Sequence, residues 1–180
     1  MITVIFMANE LQKILYNLSV AAPLLIVFSF VWIIQKKTWT VPVFCIAIAC
    51  ILIVYLLWLL SYGRKHFAPM TIRASEIAPN DGSIMVYIIS YVLPFASLVI
   101  DDVNVLVFGL VGLVIALGAA FANTPIPNPI LFCLKYHFYS VSAENGVTGY
   151  ILISRRKLRK KQDLKNVNRV FEFLLLDTEG

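Results

Sequence analysis

The chain has 180 residues, of which 60% are hydrophobic and 14% charged, with a formal net charge of +5. Soluble domains carry about 25% charged residues, so the composition argues against an ordinary soluble domain and for a membrane protein. The deficit is concentrated in windows that lack Asp, Glu, Lys and Arg: between Lys13 and Gln35, Lys37 and Arg64, Asp81 and Asp101, and Asp102 and Lys135.

A bilayer core of about 30 Å takes roughly 20 apolar residues at about 1.5 Å each. Each window holds one such span. The reading is therefore a membrane α-helical protein, a four-transmembrane-helix bundle with helices near 16–35, 41–62, 84–100 and 103–122. A cytoplasmic loop, 64–83, and the tail, 123–180, would build a small cytoplasmic β-rich domain beneath it.

The start, "MITVIFMANELQ", has no Lys or Arg and carries Glu10, so it makes a poor secretory leader, and the first helix is expected to be retained. That helix contains Pro23 and ends at "VWIIQKKTW", with Trp32 and Trp39 at interfacial depth. The second ends at "LLWLLSYGRKHF", an aromatic belt followed by cations. Cys45 and Cys50, five residues apart, do not share a helix face. No disulfide is expected, and a reducing compartment suits Cys133. "APMTIRASEIAPNDG" alternates apolar and polar residues before a Pro-Asn-Asp-Gly turn, which predicts a strand over 70–77.

In the third helix, Ser90, Pro94, Ser97 and Asp101 share a face, and Tyr87 and Tyr91 an adjacent one. Pro94 leaves the Ser90 carbonyl unbonded and kinks the helix. Two readings stand: a kinked helix buried in the bundle, or a hinge at Ser90 and Pro94 that responds to the bilayer. In the fourth helix, Gly109, Gly112, Ala116 and Ala120 form a small-residue stripe, which suits close packing within one protomer or an oligomer seam. "NTPIPNPIL" then makes an extended elbow. Strands are predicted over 131–141, 147–154 and 170–177, giving with 70–77 a four-stranded sheet that needs the membrane base or a second subunit for stability.

Orientation follows from Lys and Arg. With both termini on one side, that side holds Lys13, Arg64, Lys65, Arg73, Lys135 and the basic run near the C-terminus; Lys36 and Lys37 alone dissent. The positive-inside rule then puts both termini in the cytoplasm. No phosphate loop, nucleophile elbow, zinc motif or Cys/His cluster is present, so no enzyme, catalytic residue, metal or cofactor is expected. His66 and His137 read as structural, and Asp101 and Asp102 as an outer turn. The predicted spans carry no internal charge, which disfavours ion-coupled transport.

The best lead is "RRKLRKK": Arg155, Arg156, Lys157, Arg159, Lys160 and Lys161 are six cations in seven residues. It suits anionic lipid, nucleic-acid phosphate, an acidic patch on a soluble partner, or a solvated loop between strands. Leu158 and Leu164 give it no continuous apolar face, which argues against an inserted amphipathic helix.

"IRASEIAPNDGSIMVYIISYVLPF" and "NPILFCLKYHFYSV", together with the chain's size and layout, resemble the membrane subunit family of the bacterial Kiwa anti-phage defence system. The resemblance implies an inner-membrane homo-oligomer, expected to be a tetramer, that senses a phage-induced disturbance of the membrane. It also implies a soluble DNA-binding effector partner, KwaB. The expectation is a sensor and scaffold that contacts lipid and holds that effector, with direct DNA binding by the basic run as a lesser supplement. The alternative is an oligomeric pore-forming effector lined by the polar face of the third helix, and a small transporter ranks last.

Overall fold

A computed structural model describes residues 2–67, 69–89, 105–122, 124–144, 146–160, 164 and 166–178. The chain opens with a bent helical rod, α1 (Ile2–Ser19) and α2 (Ala22–Lys36). Pro23 causes the bend, because it has no amide hydrogen for the Ser19 carbonyl one turn back and its ring presses on that turn. The backbone tightens there instead: Val20 N–H donates to the Asn17 carbonyl at 3.1 Å and Ala21 N–H to Leu18 at 3.0 Å. Lys37 then turns the chain in a left-handed conformation, and α3 (Thr40–His66) returns along α2. Leu24, Phe28 and Trp32 of α2 pack with Val41 and Cys45 of α3 and with Ile115 of α5 (Val105–Phe121).

Six strands follow: β1 (Pro69–Thr71), β2 (Ala74–Pro79), β3 (His137–Ala143), β4 (Tyr150–Ser154), β5 (Asn166–Phe171) and β6 (Leu174–Asp177). They form one sheet in the order β1-β5-β6-β4-β3-β2. Every pairing is antiparallel except β4 with β6. The two edges are thus β1 and β2, which only Ile72 and Arg73 separate in sequence. Strands about 4.8 Å apart would put the edges of a flat six-stranded sheet about 24 Å apart. The three steps from Thr71 to Ala74 reach at most about 11 Å. The sheet must therefore curl until its edges approach each other.

Curling gives the sheet an inside and an outside, and both are apolar. Ile72, Tyr139, Val141, Leu152, Val167 and Leu175 fill the inside. Phe138, Ile151, Ile153, Phe171, Leu174 and Leu176 face outward against helices. Those helices supply Tyr16 from α1, Leu56, Leu59 and Leu60 from α3, Ile84 from α4 (82–89) and Leu131 from α6 (Pro129–Cys133). A strand buried on both faces cannot alternate apolar with polar, which is why "YILI" and "LLL" run without interruption.

This architecture corrects the expected four-helix membrane bundle. Among the described residues two helical stretches are long and apolar enough to cross a membrane, Glu10–Lys36 and Thr40–His66, each of 27 residues. α5 is described over 17 residues, Val105–Phe121, and the residues directly before it, 101–104, lie outside the described ones. Of the expected third helix, α4 supplies the first turns. The hinge at Ser90 and Pro94, with Tyr91, Ser97, Asp101 and Asp102, lies outside the described residues. Charge-free windows measure apolar length alone and do not separate a membrane span from a helix laid on a sheet. The sheet likewise has six strands where four were expected. The 70–77 segment divides at Ile72 and Arg73, β5 was not anticipated, and the start of the expected 131–141 strand is the short helix α6, with Pro129 in its first turn.

A polar clasp ties the bent rod to the proline elbow. Asn17 Oδ1 accepts the Ile126 N–H at 3.2 Å, and its amide donates to the Ala122 carbonyl at 3.4 Å. Asn128 Nδ2 donates to Ser19 Oγ at 2.7 Å, while Asn128 Oδ1 caps α6 through the Ile130 N–H at 2.9 Å. Asn17, Ser19 and Asn128 are fully buried, so each lost bond strands a desolvated group. Asn128→Leu is expected to lower stability by about 1–3 kcal/mol per stranded group, read as a fall in the thermal midpoint of the detergent-solubilised protein; an unchanged midpoint would remove the clasp from the account.

Candidate functional site

The basic run is the connection from β4 to β5. Because β6 lies between these strands, parallel to β4, the run passes over the end of β6, where Asp177 sits. Strand alternation divides its first residues. Ile151 and Ile153 face the helices, and Arg155 continues on that side, its guanidinium carbon 4.7 Å from the Tyr136 ring centroid. Arg156 turns to Asp177: Nε lies 2.7 Å from one carboxylate oxygen and Nη2 3.1 Å from the other. The Asp177 side chain is 0% exposed and also accepts from Ser154 Oγ at 2.7 Å. A two-pronged guanidinium–carboxylate contact is among the stronger charge-assisted hydrogen-bonding arrangements.

Beyond Arg156 the run is pinned to the sheet rather than solvated throughout. Leu158 N–H donates to the Tyr139 hydroxyl at 2.9 Å, and the Leu158 and Leu164 side chains enter the inner core. The two leucines that form no helix face are plugs for the curled sheet. Lys157, just before the first leucine, and Arg159 and Lys160, between the two, are exposed. Lys161 lies outside the described residues. The six cations are therefore not equivalent. Arg156 is structural, Arg155 faces the helical side, and three project from the rim.

Tyr136 gathers a second cation. Arg64, in the last turn of α3, donates from Nη2 to the Tyr136 hydroxyl at 3.3 Å, with its guanidinium carbon 5.7 Å from the ring centroid. Asn168 of β5 holds that turn in place, its Nδ2 donating to the Gly63 carbonyl at 2.9 Å. Down another face of α3 runs a ladder of rings. Trp58 stacks on Tyr62 at 5.2 Å and Tyr62 on His66 at 4.3 Å. The second histidine, His137, pairs through Nδ1 with Asp81 at 2.9 Å, and Asp81 also accepts the Phe138 N–H at 2.8 Å.

The small-residue stripe of α5 is not brought into tight packing. Gly109 is exposed and Gly112 and Ala116 half-buried, and a methyl group added at Gly109 or Gly112 would meet no described atom within 4 Å. The side chain of Ala120 lies outside the described residues. Cys45, Cys50 and Cys133 are free thiols. Among the described residues no three His, Cys, Asp or Glu side chains gather as a metal set.

Sequence reasoning missed Asp177, Ser154, Tyr136 and Arg64 as partners of the run. One signal was available: "LLLD" closes an apolar strand on an acid, which burial requires to be paired. Arg156→Gln is expected to cost about 3–5 kcal/mol, because it takes the guanidinium fork away from a buried carboxylate, whereas Lys157→Gln changes stability by no more than about 0.5 kcal/mol. Thermal melts of both variants decide this. Equal midpoints would show that Asp177 does not depend on Arg156, and recovery of stability in Arg156→Met with Asp177→Leu would confirm that it does.

Searches of curated proteins and of solved structures returned no match. The pattern defining the family described as "Anti-phage protein KwaA" matches residues 12–176. That stretch takes in the bend, the clasp, the curled sheet up to Leu176 and the basic rim, and the chain belongs to the KwaA family of anti-phage proteins.

Proposed function

We propose that the chain is the membrane-anchored sensor and scaffold of an anti-phage assembly, and that its basic rim holds a soluble DNA-binding effector of the KwaB type. The family supplies the defence role. The anchoring supports itself on composition and exposure. Two stretches are long and apolar enough to cross a membrane, and Phe30, Ile34, Phe44, Ile51 and Val54 stand exposed along them. On this reading both termini and the sheet lie in the cytoplasm, at the inner face of a bacterial cell membrane, and the chain works as a homo-oligomer, a tetramer.

The observation that carries the scaffold reading is the division of labour in the run. Arg156 and the two leucines fix the backbone, and the fixed backbone presents Lys157, Arg159 and Lys160 outward from the end of the sheet, over β6. Cations held on an ordered loop present a fixed pattern to an acidic surface, which is what selects one partner over others. A change in the bilayer transmits to this rim only if it favours one arrangement of the helices over another. The clasp between the bent rod and the elbow is the physical link through which such a shift would reach the sheet.

The test is a detergent pull-down of the tagged full chain expressed with its neighbouring genes. A variant with Lys157→Gln, Arg159→Gln and Lys160→Gln keeps Arg155 and Arg156, and its thermal midpoint is read beside the pull-down. The expected result is loss of a stoichiometric soluble partner and loss of phage protection at an unchanged thermal midpoint. A partner retained in full would overturn docking at the rim. A gel shift of duplex DNA by the chain alone, abolished in the variant, would reassign the rim to nucleic acid.

A further inference from the structure

We propose that Arg64, Arg155 and Tyr136 form a seat for the phosphate of an anionic membrane lipid. The proposal rests on the membrane-anchored reading above and adds a ligand and a site to it.

Two guanidinium groups converge on one tyrosine, Arg155 over the ring and Arg64 against both ring and hydroxyl. Among the described residues neither has a carboxylate within ion-pair distance. This differs from Arg156, one residue along, whose charge a buried carboxylate meets. Arg64 Nε is buried and has no hydrogen-bond partner among the described residues. A buried donor on a charged group without an acceptor is costly. The Tyr136 ring offsets part of the repulsion between the two cations, but it offers Arg64 Nε no acceptor. A phosphate has the acceptor oxygens and the negative charge that both forks lack.

The surroundings favour a lipid as the source of that phosphate. Arg64 closes an apolar helix of membrane-crossing length. Trp58 and Tyr62, on the turns before it, are 54% and 40% exposed, and aromatic rings in the last turns of a span sit at headgroup level. Arg155 reaches the same point from the face of the sheet that packs on the helices. Lys65 and Lys135 stand exposed beside Arg64 and Tyr136 in the chain. The membrane-facing side thus carries a cation pair that meets no acid among the described residues, next to a belt of exposed rings.

Native mass spectrometry of the detergent-solubilised full chain tests the seat, with phosphatidylglycerol and phosphatidylcholine titrated as probes. Arg64→Gln and Arg155→Gln are compared with Lys157→Gln, which removes the same charge away from the seat. The wild type and Lys157→Gln are expected to retain phosphatidylglycerol over phosphatidylcholine, and each arginine variant to bind it about tenfold more weakly, the loss of one charge-assisted contact. Arg155 is exposed, so its variant keeps the fold whatever Arg64→Gln does. Equal retention by all four proteins, or equal retention of both lipids, overturns the seat. Displacement of the lipid by millimolar inorganic phosphate assigns the site to a free phosphate instead, and displacement by a DNA oligomer assigns it to nucleic acid. Alkaline carbonate extraction of wild-type membranes separates the two levels. A chain washed into the supernatant overturns the anchoring and the seat together, whereas an embedded chain with no lipid preference overturns the seat alone.

Discussion

Two residues, Ile72 and Arg73, join strands on opposite edges of a six-stranded sheet, and the rest of the fold follows from that short link. A chain that short cannot bridge a flat sheet. The sheet curls, its inner face becomes a closed apolar core, and its outer face needs a second cover. Helices provide the cover: α1 through Tyr16, α3 through Leu56, Leu59 and Leu60, α6 through Leu131. The helical part and the sheet are thus not two layers that touch at a seam. They share one core, and Tyr16, at the bend of the rod, meets Phe171 of β5 edge to face at 5.5 Å.

The same constraint organises the charges. In a curled sheet, successive residues along a strand point to the core or to the helices, and the run leaving β4 inherits that alternation for its first two cations. Arg155 goes to the helical side and Arg156 to the end of β6. Leu158 then draws the backbone across the end of the sheet. Whatever the rim binds, its geometry is set by the Arg156–Asp177 pair and the leucine plugs rather than by the exposed lysines. A run of cations that looks uniform in sequence divides into one structural member, one facing the helices, and a group presented to solvent.

The sequence carried part of this plainly. The apolar stretches around the second span, the turn at Pro79-Asn80-Asp81-Gly82, the proline elbow and the strand at 147–154 were legible because each rests on local chemistry. So was the text that marks the family. The number of spans was not legible, since an apolar helix packed on other helices or on a sheet has the composition of one crossing lipid, and hydropathy sees the composition alone. Strand β5, "NVNRVF", was missed because its alternation breaks: Asn168 and Arg169 stand together, as do Val170 and Phe171, at an irregularity in the pairing with β6. Asn17, Ser19 and Asn128 read as ordinary polar residues, and 105 or more positions separate the partners in their clasp. The pairing of Arg156 with Asp177 is equally non-local, so the basic run could be located from the sequence but not divided.

The claim on which the functional account depends is that the 155–165 connection is the docking surface for a soluble effector. Hydrogen–deuterium exchange of the full chain in lipid nanodiscs, with and without the co-purified soluble partner, measures this directly. The account predicts slowed exchange over 155–165 on complex formation, with little change in β4 and β6, which the sheet already protects. Protection confined to the 80–89 or 129–136 regions, with none in 155–165, would contradict it.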